Sequence, residues 1–417
     1  MRRLALVFAM LPTAASALTL NCGSVFDAEN ARWLGAQRIE VENGKITAVT
    51  PGAARDGVDH SKAACVPGFI DLHTHISNEA SGPNSYSEGF RMNPGDYALR
   101  AAANARKTLA AGFTTIRDLG DTDGASIALK RAIEQGIAVG PRIITSGKSI
   151  ATTGGHADPT NGRRLDLQGT PGPADGVING PEDAAAAVRY RYKQGADLIK
   201  ITATGGVLSY AKNGLNPQFT QEEANAIVLA AKDYGMAVAA HAHGKEGMRR
   251  AIQAGVTTIE HGSFMDEELF PLMKQHGTWY VPTLMAGWWV ASKAEEPGYY
   301  PPMVAIKAKT IGPVMQGTFR KAHAAGVKIA FGTDTGVSPH GMNAKEFKLM
   351  VDAGMSGNEA LQSATFNAAQ VLGMGAELGQ IKVGFIADIV VLDNAVQRDI
   401  TATEKPLAVY QAGKTYP

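Results

Sequence analysis

The chain has no excess of charge of either sign. Its 40 lysines and arginines stand against 39 aspartates and glutamates, for a net charge of +1. Charge therefore gives no reason to expect nucleic acid or an acidic surface as a partner. Cysteine is nearly absent, and two residues, Cys22 and Cys65, cannot build a four-thiolate zinc site. Long apolar runs are missing as well, so no membrane span is expected. No low-complexity stretch or charged tail is evident. What is present is 417 residues with 47 glycines, more chain than one small domain needs and enough turn-formers for many short connections.

The N-terminus has the layout of a targeting segment. In "MRRLALVFAMLPTAASA", Arg2 and Arg3 precede a short apolar stretch that ends in Ala15-Ser16-Ala17. This predicts a signal peptide over residues 1–17 and a periplasmic or secreted protein. The apolar stretch is too short to span about 30 Å of hydrocarbon as an anchor. Asn21 is a poor neighbour for a lipid-attached Cys22. Export would place both cysteines in an oxidising compartment. A disulfide and a pair of buried thiols in adjacent strands both stand as readings, because spacing does not tell whether the side chains meet.

Residues 18–66 read as short strands, with a hairpin at Asn43-Gly44, and residues 375–417 have the same character. Together they predict a small β-sandwich-like domain assembled from both ends of the chain. Residues 67–374 differ. Phrases such as "AGFTTIRDLG", "QGADLIKITATGG", "AGVTTIEHGS" and "AGVKIAFGTDTG" each pair a helix-ending glycine with a short apolar strand and a polar exit. Helical stretches lie between them, with Asp96, Asp183 and Thr220 as candidate starts. Eight strands are expected, near 68–75, 114–119, 142–147, 198–204, 237–243, 257–262, 279–284 and 328–334. Alternating strands and helices imply a parallel sheet, and eight units favour an α/β fold of the (β/α)8 TIM-barrel type.

Barrel strands should be apolar along their length, and here the exceptions gather at their C-terminal ends. They are His73, His75, Lys200, His241, His243, His261 and Asp334. On a (β/α)8 topology all face one mouth, and histidines with an aspartate around one pocket have the chemistry of a metal site. In "PGFIDLHTH" strand alternation points His73 and His75 the same way. Lys200 lies among apolar neighbours in "ADLIKITATGG". Burial should depress its pKa, and a neutral lysine amine can take up carbon dioxide to form a carbamate able to bridge two cations. The competing reading is a lysine that snorkels or pairs with an acid; the surrounding histidines favour the carbamate.

The motifs "PGFIDLHTH", "LIKITATGG", "AAHAHG", "IEHG" and "FGTDTG" stand in this order on successive strands. In this the chain resembles the amidohydrolase superfamily over essentially all of its mature length. It looks most like the branch of Xaa-Pro dipeptidases, metallo-carboxypeptidases and ochratoxin-hydrolysing amidases. The resemblance implies two Zn2+ or other divalent ions. His73, His75 and Asp334 would hold one, His241 and His261 the other, and carboxylated Lys200 and a hydroxide would bridge them. A large homo-oligomer such as an octamer is implied in the same way. His243 falls to substrate or oxyanion contact, with a structural role beside the site as the alternative. His156, in the loop after strand three, and Tyr210 are candidate substrate contacts. His60, His276, His323 and His340 read as structural or solvated. The aromatic stretch 284–302 fits a wall or lid over the mouth, and equally a subunit contact.

The resemblance thus implies hydrolysis of a C–N bond, with Asp334 as proton shuttle, releasing a C-terminal amino acid from N-acyl amino acids or dipeptides; ochratoxin A has that form. A second reading is a cyclic-amide hydrolase or deaminase resembling imidazolonepropionase, whose relatives commonly use one metal and lack the bridging lysine. Lys200 weighs against it. A non-enzymatic barrel relative should have lost ligands, and all six are present.

Overall fold

The computed structural model describes residues 17–52, 56–79, 82–210 and 213–416. Apart from Ala17, the expected signal peptide lies outside the described residues.

Both ends of the chain build one eight-stranded sheet. The N-terminal side supplies Ala17–Asp27, Arg32–Leu34, Gln37–Glu42, Lys45–Pro51 and Val58–Pro67. The C-terminal side supplies Ile389–Asp393, Ala408–Gln411 and Lys414–Tyr416. The join runs through Ile389–Asp393, antiparallel to Val58–Pro67. Alternation is clean in "QRIEVE", where Ile39 and Val41 are buried between less buried neighbours. They share a core with Leu20, Ile46, Ile389 and Val391. The hairpin forms at Asn43-Gly44, with φ of 51° and 77°, the doubly left-handed turn that suits the twist of the flanking strands. Cys22 and Cys65 form a disulfide between neighbouring strands, with Cα atoms 5.9 Å apart.

The barrel is made of two runs of parallel strands. Phe69–Thr74, Phe113–Asp118 and Arg142–Thr145 form one. Leu198–Thr202, Ala237–Ala242, Thr258–His261 and Trp279–Val281 form the other. Single bonds close the ring on both sides. Between the third and fourth strands, the Ile150 amide donates to the Lys200 carbonyl at 2.8 Å and the Thr202 amide to Ile150 at 3.1 Å.

The eighth segment, expected near 328–334, is extended chain held by isolated bridges and not a regular ladder. The Ala330 amide donates to Tyr280 at 3.0 Å, the Leu72 amide to Phe331 at 3.1 Å, and the Asp334 amide to His73 at 2.7 Å. Two residues explain the irregularity. A Cβ on Gly332 would lie 2.4 Å from Val281 Cγ1, so the chain passes too close for a side chain. Asp334 has φ of 61°, which no strand accommodates.

Helices fill the crossovers, and their starts differ in detail from expectation. Thr220 is a true cap: its hydroxyl accepts the Glu223 amide at 3.2 Å, while Glu223 Oε2 accepts the Thr220 amide at 2.8 Å. Asp96 and Asp183 are not themselves the N-cap residues. Each sits in the first turn behind a proline and reaches back to an amide before the helix, Asp96 to Asn93 at 2.8 Å and Asp183 to Asn179 at 3.0 Å. Proline already suits the first helical position, so these carboxylates serve the preceding amides. At the starts of their strands Phe69 and Phe113 pack 5.5 Å apart, and Phe347 lies 5.0 Å from Phe69. Among the described residues no helix is long and apolar enough to cross a membrane.

Cys22→Ser should lower the unfolding free energy by about 2–4 kcal/mol, as should reduction of the wild type. Denaturant melts with and without reductant check this; an unchanged midpoint would mean that the strand ladder alone holds the sheet.

Candidate metal centre and active site

The first barrel strand is buried along its whole length, polar residues included. Alternation turns Asp71 and His73 to one side, but Asp71 is not a donor for the cavity. Its carboxylate accepts the His73 amide at 3.0 Å, the Thr333 amide at 3.1 Å, the Thr333 hydroxyl at 2.6 Å and Asn343 Nδ2 at 2.8 Å. It ties the first strand to the irregular eighth segment. Burial raises its pKa to about 6.

Eight of the nine candidate residues line one cavity of about 170 Å³ at the strand ends: His73, His75, His156, Lys200, His241, His243, His261 and Asp334. Nε2 of His73 lies 3.3 Å from Lys200 Nζ and 3.5 Å from Asp334 Oδ1. Nε2 of His75 lies 3.3 Å from the same oxygen. Donor atoms of His73, His261 and Asp334 all fall within 4.8 Å of one another. The His241 ring is 4.7 Å from that of His261 and 4.4 Å from that of His156.

Hydrogen bonds on the far side of each ring decide which nitrogen faces the cavity. His73 Nδ1 donates to Glu260 Oε2 at 2.9 Å, and His75 Nδ1 to the Gly120 carbonyl at 2.7 Å. His241 reverses the order, with Nε2 donating to the Gly205 carbonyl at 3.0 Å. His261 Nδ1 pairs with the Thr283 hydroxyl and His243 Nδ1 with that of Ser263, each at 2.7 Å. One nitrogen of each ring is thereby oriented and the other is left as a lone pair or donor for the cavity. This is how metal-binding histidines are held.

The electrostatics agree. Burial, with the Lys200 charge behind it, holds His73 well below the usual imidazole range, and burial with neighbouring imidazoles does the same for His241 and His261. Neutral imidazole is the ligating form. His156 is pushed down to about 3 and His243 to about 4, chiefly by burial. His75 goes the other way, because its close charge contact with the Asp334 carboxylate outweighs burial. Burial would raise Asp334, but His73, His75 and Lys200 together bring it below the usual carboxylate range. Burial lowers Lys200 to about 8. Asp334 Oδ1 and His156 Nδ1 are buried and accept or donate no hydrogen bond among the described residues. An anionic oxygen aimed at imidazole lone pairs and a depressed amine is a donor set that fits divalent cations.

Backbone strain marks the same place. His261, Thr283 and Asp334 have φ of 68°, 51° and 61°, left-handed values that are costly away from glycine. In His261 this breaks strand alternation, so Glu260 and His261 both serve the centre. Beyond Thr283, the amides of Leu284 and Met285 donate to the buried carboxylate of Glu346 at 2.9 and 2.6 Å. Burial raises Glu346 to about 8.

Sequence reading missed the groups behind the ligands. Glu260 is fully buried and accepts from His73 on one oxygen and from Arg117 Nη2, at 2.7 Å, on the other. Arg117, also buried, donates through Nε to the Leu72 carbonyl at 2.6 Å. Both were legible as charges inside apolar strands, in "IEHG" and "TTIRDLG".

Tyr210 stands apart from the other candidates. It is 41% exposed and packs on Tyr86 at the rim, with ring centroids 5.3 Å apart. The stretch 284–302 does reach the cavity, but through Ala286, Gly287 and Val290 and not through its tryptophans. At Gly287 a Cβ would meet Met315 Sδ at 2.6 Å, so a larger residue there would have to displace that side chain. His340, buried outside the cavity, bonds the Asn78 carbonyl at 2.9 Å, and His60 bonds the Tyr410 hydroxyl at 2.8 Å.

The pattern of the amidohydrolase family matches residues 64–415. The ochratoxinase of Aspergillus niger is 34% identical over 375 residues, covering 86% of this chain and 76% of that protein. A solved Xaa-Pro dipeptidase with methionine bound in its active site superposes with a TM-score of 0.93 at 45% identity, covering 96% of this chain and 100% of that one. A prolidase solved with N-methylphosphonate-L-proline gives a TM-score of 0.88 at 32% identity, covering 96% and 99%.

Glu260→Gln should weaken binding of added zinc at least tenfold, since it loosens the His73 ring. It should also cost about 3 kcal/mol of stability by leaving Arg117 without its counter-charge. Equilibrium dialysis and denaturant melts measure the two effects.

Proposed function

The chain belongs to the amidohydrolase family and is a hydrolase acting on amide bonds, and from that premise we propose a narrower activity. It is a binuclear-metal amidase, working after export, that releases a C-terminal amino acid from N-acyl amino acids or dipeptides. The observation that carries this reading is the convergence of His73, His75, Lys200, His241, His261 and Asp334 on one cavity. Likeness to an ochratoxinase and to an Xaa-Pro dipeptidase supports the substrate class, because both names denote attack on an amide next to an amino acid.

Members of the family generally use divalent metal. His73, His75 and Asp334 would hold one cation and His241 and His261 the other, with zinc as the expected ion. The Lys200 amine, lowered to about 8 by burial, would add carbon dioxide and lose a proton, and the resulting carbamate would reach both cations. Bound there, the two ions supply a hydroxide near neutral pH and polarise the scissile carbonyl.

The protein's own groups do the rest. Asp334, kept ionised beside the cation it would help to hold, takes the proton of the attacking water and returns it to the leaving nitrogen. With the Ser263 hydroxyl donating to Nδ1 of His243, its Nε2–H faces the cavity as a donor to the developing oxyanion. His156 Nδ1 is a second such donor, buried and uncommitted. The apolar wall of Ala286, Gly287, Val290, Ile311 and Met315 takes the side chain of the released amino acid and keeps water away.

The test is amino-acid release by the zinc-loaded mature protein from N-acyl amino acids, dipeptides and cyclic amides. Release from the first two classes, abolished by chelator, is expected; ring opening of a cyclic amide with no release from the others would overturn the reading. Lys200→Ala should lose at least one metal equivalent by elemental analysis, together with most turnover. Full metal content in that variant would remove the carbamate.

A further inference from the structure

Asp334 and His156 are not alone in lining the metal cavity with a buried polar atom that finds no partner among the described residues. Thr202 does so as well, through Oγ1. The first two have uses in the reading above: the Asp334 oxygen meets a cation, and His156 meets the oxyanion. The Thr202 hydroxyl has none. Bulk water does not serve it, because the residue is only 3% exposed. A hydroxyl carries one donor hydrogen, and burying it unpaired is costly. Ser149, another hydroxyl on the cavity wall, is already spent on the Leu119 carbonyl at 3.1 Å. Among the described lining residues, Thr202 is thus the hydroxyl left without an acceptor.

Its place on the barrel says which acceptor it meets. Thr202 follows Lys200 by two residues on the strand Leu198–Thr202, so alternation turns both side chains to one face. Both line the cavity, as that predicts. The stretch between them is fixed from both sides. Ile150 accepts the Thr202 amide and donates to the Lys200 carbonyl, while His241 and Ala239 stand opposite as parallel partners. Side chains on a strand lean along it, and a step of two residues is about 6.6 Å. The Lys200 stem is long enough to cover that step, and its Nζ lies 3.3 Å from His73 Nε2. The state of this lysine then decides the matter. An ammonium has three donors and no acceptor, so it gives the hydroxyl nothing. A carbamate presents two anionic oxygens, each with a lone pair beyond the one given to a cation. The unpartnered hydroxyl is explained by the modified lysine and not by the plain one.

We propose that Thr202 is the positioning residue for the Lys200 carbamate, donating its hydroxyl hydrogen to a carbamate oxygen. This rests on the carbamate put forward above and deepens it, by naming the protein group that holds it. As the carbamate forms, the Lys200 nitrogen bonds to the carbon of carbon dioxide. One C–O π pair becomes a lone pair on oxygen, and a proton leaves the nitrogen for solvent. The Thr202 hydrogen bond goes to the anionic group so created, and bonds to charged acceptors are the strong ones. It favours the carbamate over the free amine before either cation arrives, by about tenfold in the equilibrium. It also restricts rotation of the carbamate about the lysine stem.

The experiment reloads the metal-stripped mature protein with zinc across a series of isotope-labelled bicarbonate concentrations. Bound zinc is measured by elemental analysis and the carbamate carbon by carbon NMR, with Lys200→Ala identifying its signal. Thr202→Val, close in shape, should need about tenfold more bicarbonate for half-maximal carbamate and for uptake of the second metal. Thr202→Ser, which keeps the hydroxyl, should stay within about threefold of the wild type. The metal-free Thr202→Val protein should melt no lower than the metal-free wild type, since it exchanges an unpaired hydroxyl for a methyl group. A bicarbonate dependence of Thr202→Val within about threefold of the wild type, or a metal-free melting point well below it, would overturn the role of Thr202 and leave the carbamate in place. Absence of the labelled signal from the wild type itself would overturn both.

Discussion

A buried carboxylate holding an arginine with one oxygen and a histidine with the other organises this molecule. Glu260 spans from Arg117 on the second barrel strand to His73 on the first, while sitting itself on the sixth. Neither charge could be buried alone, since an ion removed from water costs several kcal/mol unless it is paired. Paired, they join three strands that are distant in sequence and fix the ring of a central histidine. Arg117 then reaches the carbonyl of Leu72, one residue before that histidine. Stability of the barrel and orientation of its metal-facing nitrogen are therefore one property, carried by the same few bonds.

The strand ends show the converse arrangement. Three residues at the mouth sit in left-handed backbone conformations, and each is held by something behind it. Thr283 is followed by two amides locked onto Glu346. Asp334 follows Thr333, whose amide and hydroxyl bind Asp71. Strain of this kind persists where the surroundings over-determine it. Here the surroundings are buried acids one layer below the donors, so the cost of the conformation falls on the packed barrel and not on the cavity.

Much of this was legible in the sequence, and the reasons are particular. The barrel could be read because "AGVTTIEHG" and its relatives each carry a helix-ending glycine and a strand in a fixed order. His73, His75, Lys200, His241, His261 and Asp334 stood out because polar groups interrupt apolar strands. The eighth strand was located but not its irregularity, since alternation arguments assume a regular backbone and Gly332 with Asp334 breaks it. The same assumption hid Glu260, which alternation turns away from His261. Tyr210 lies at the rim against Tyr86, since a motif position says which loop a residue is on, not how far its ring lies from the centre.

The terminal sheet carries a consequence for the order in which the molecule can be made. Val58–Pro67 has Ile389–Asp393 as its partner on one edge, and the intervening chain contains the whole barrel. Contacts so far apart in sequence form slowly, because a long loop must close before they contribute. A growing chain thus completes all of its barrel strands while that edge is still bare. The last thirty residues act as a latch that closes over an assembled barrel, and a ribosome that stalls before them leaves an open strand edge, the feature most prone to pair with another copy.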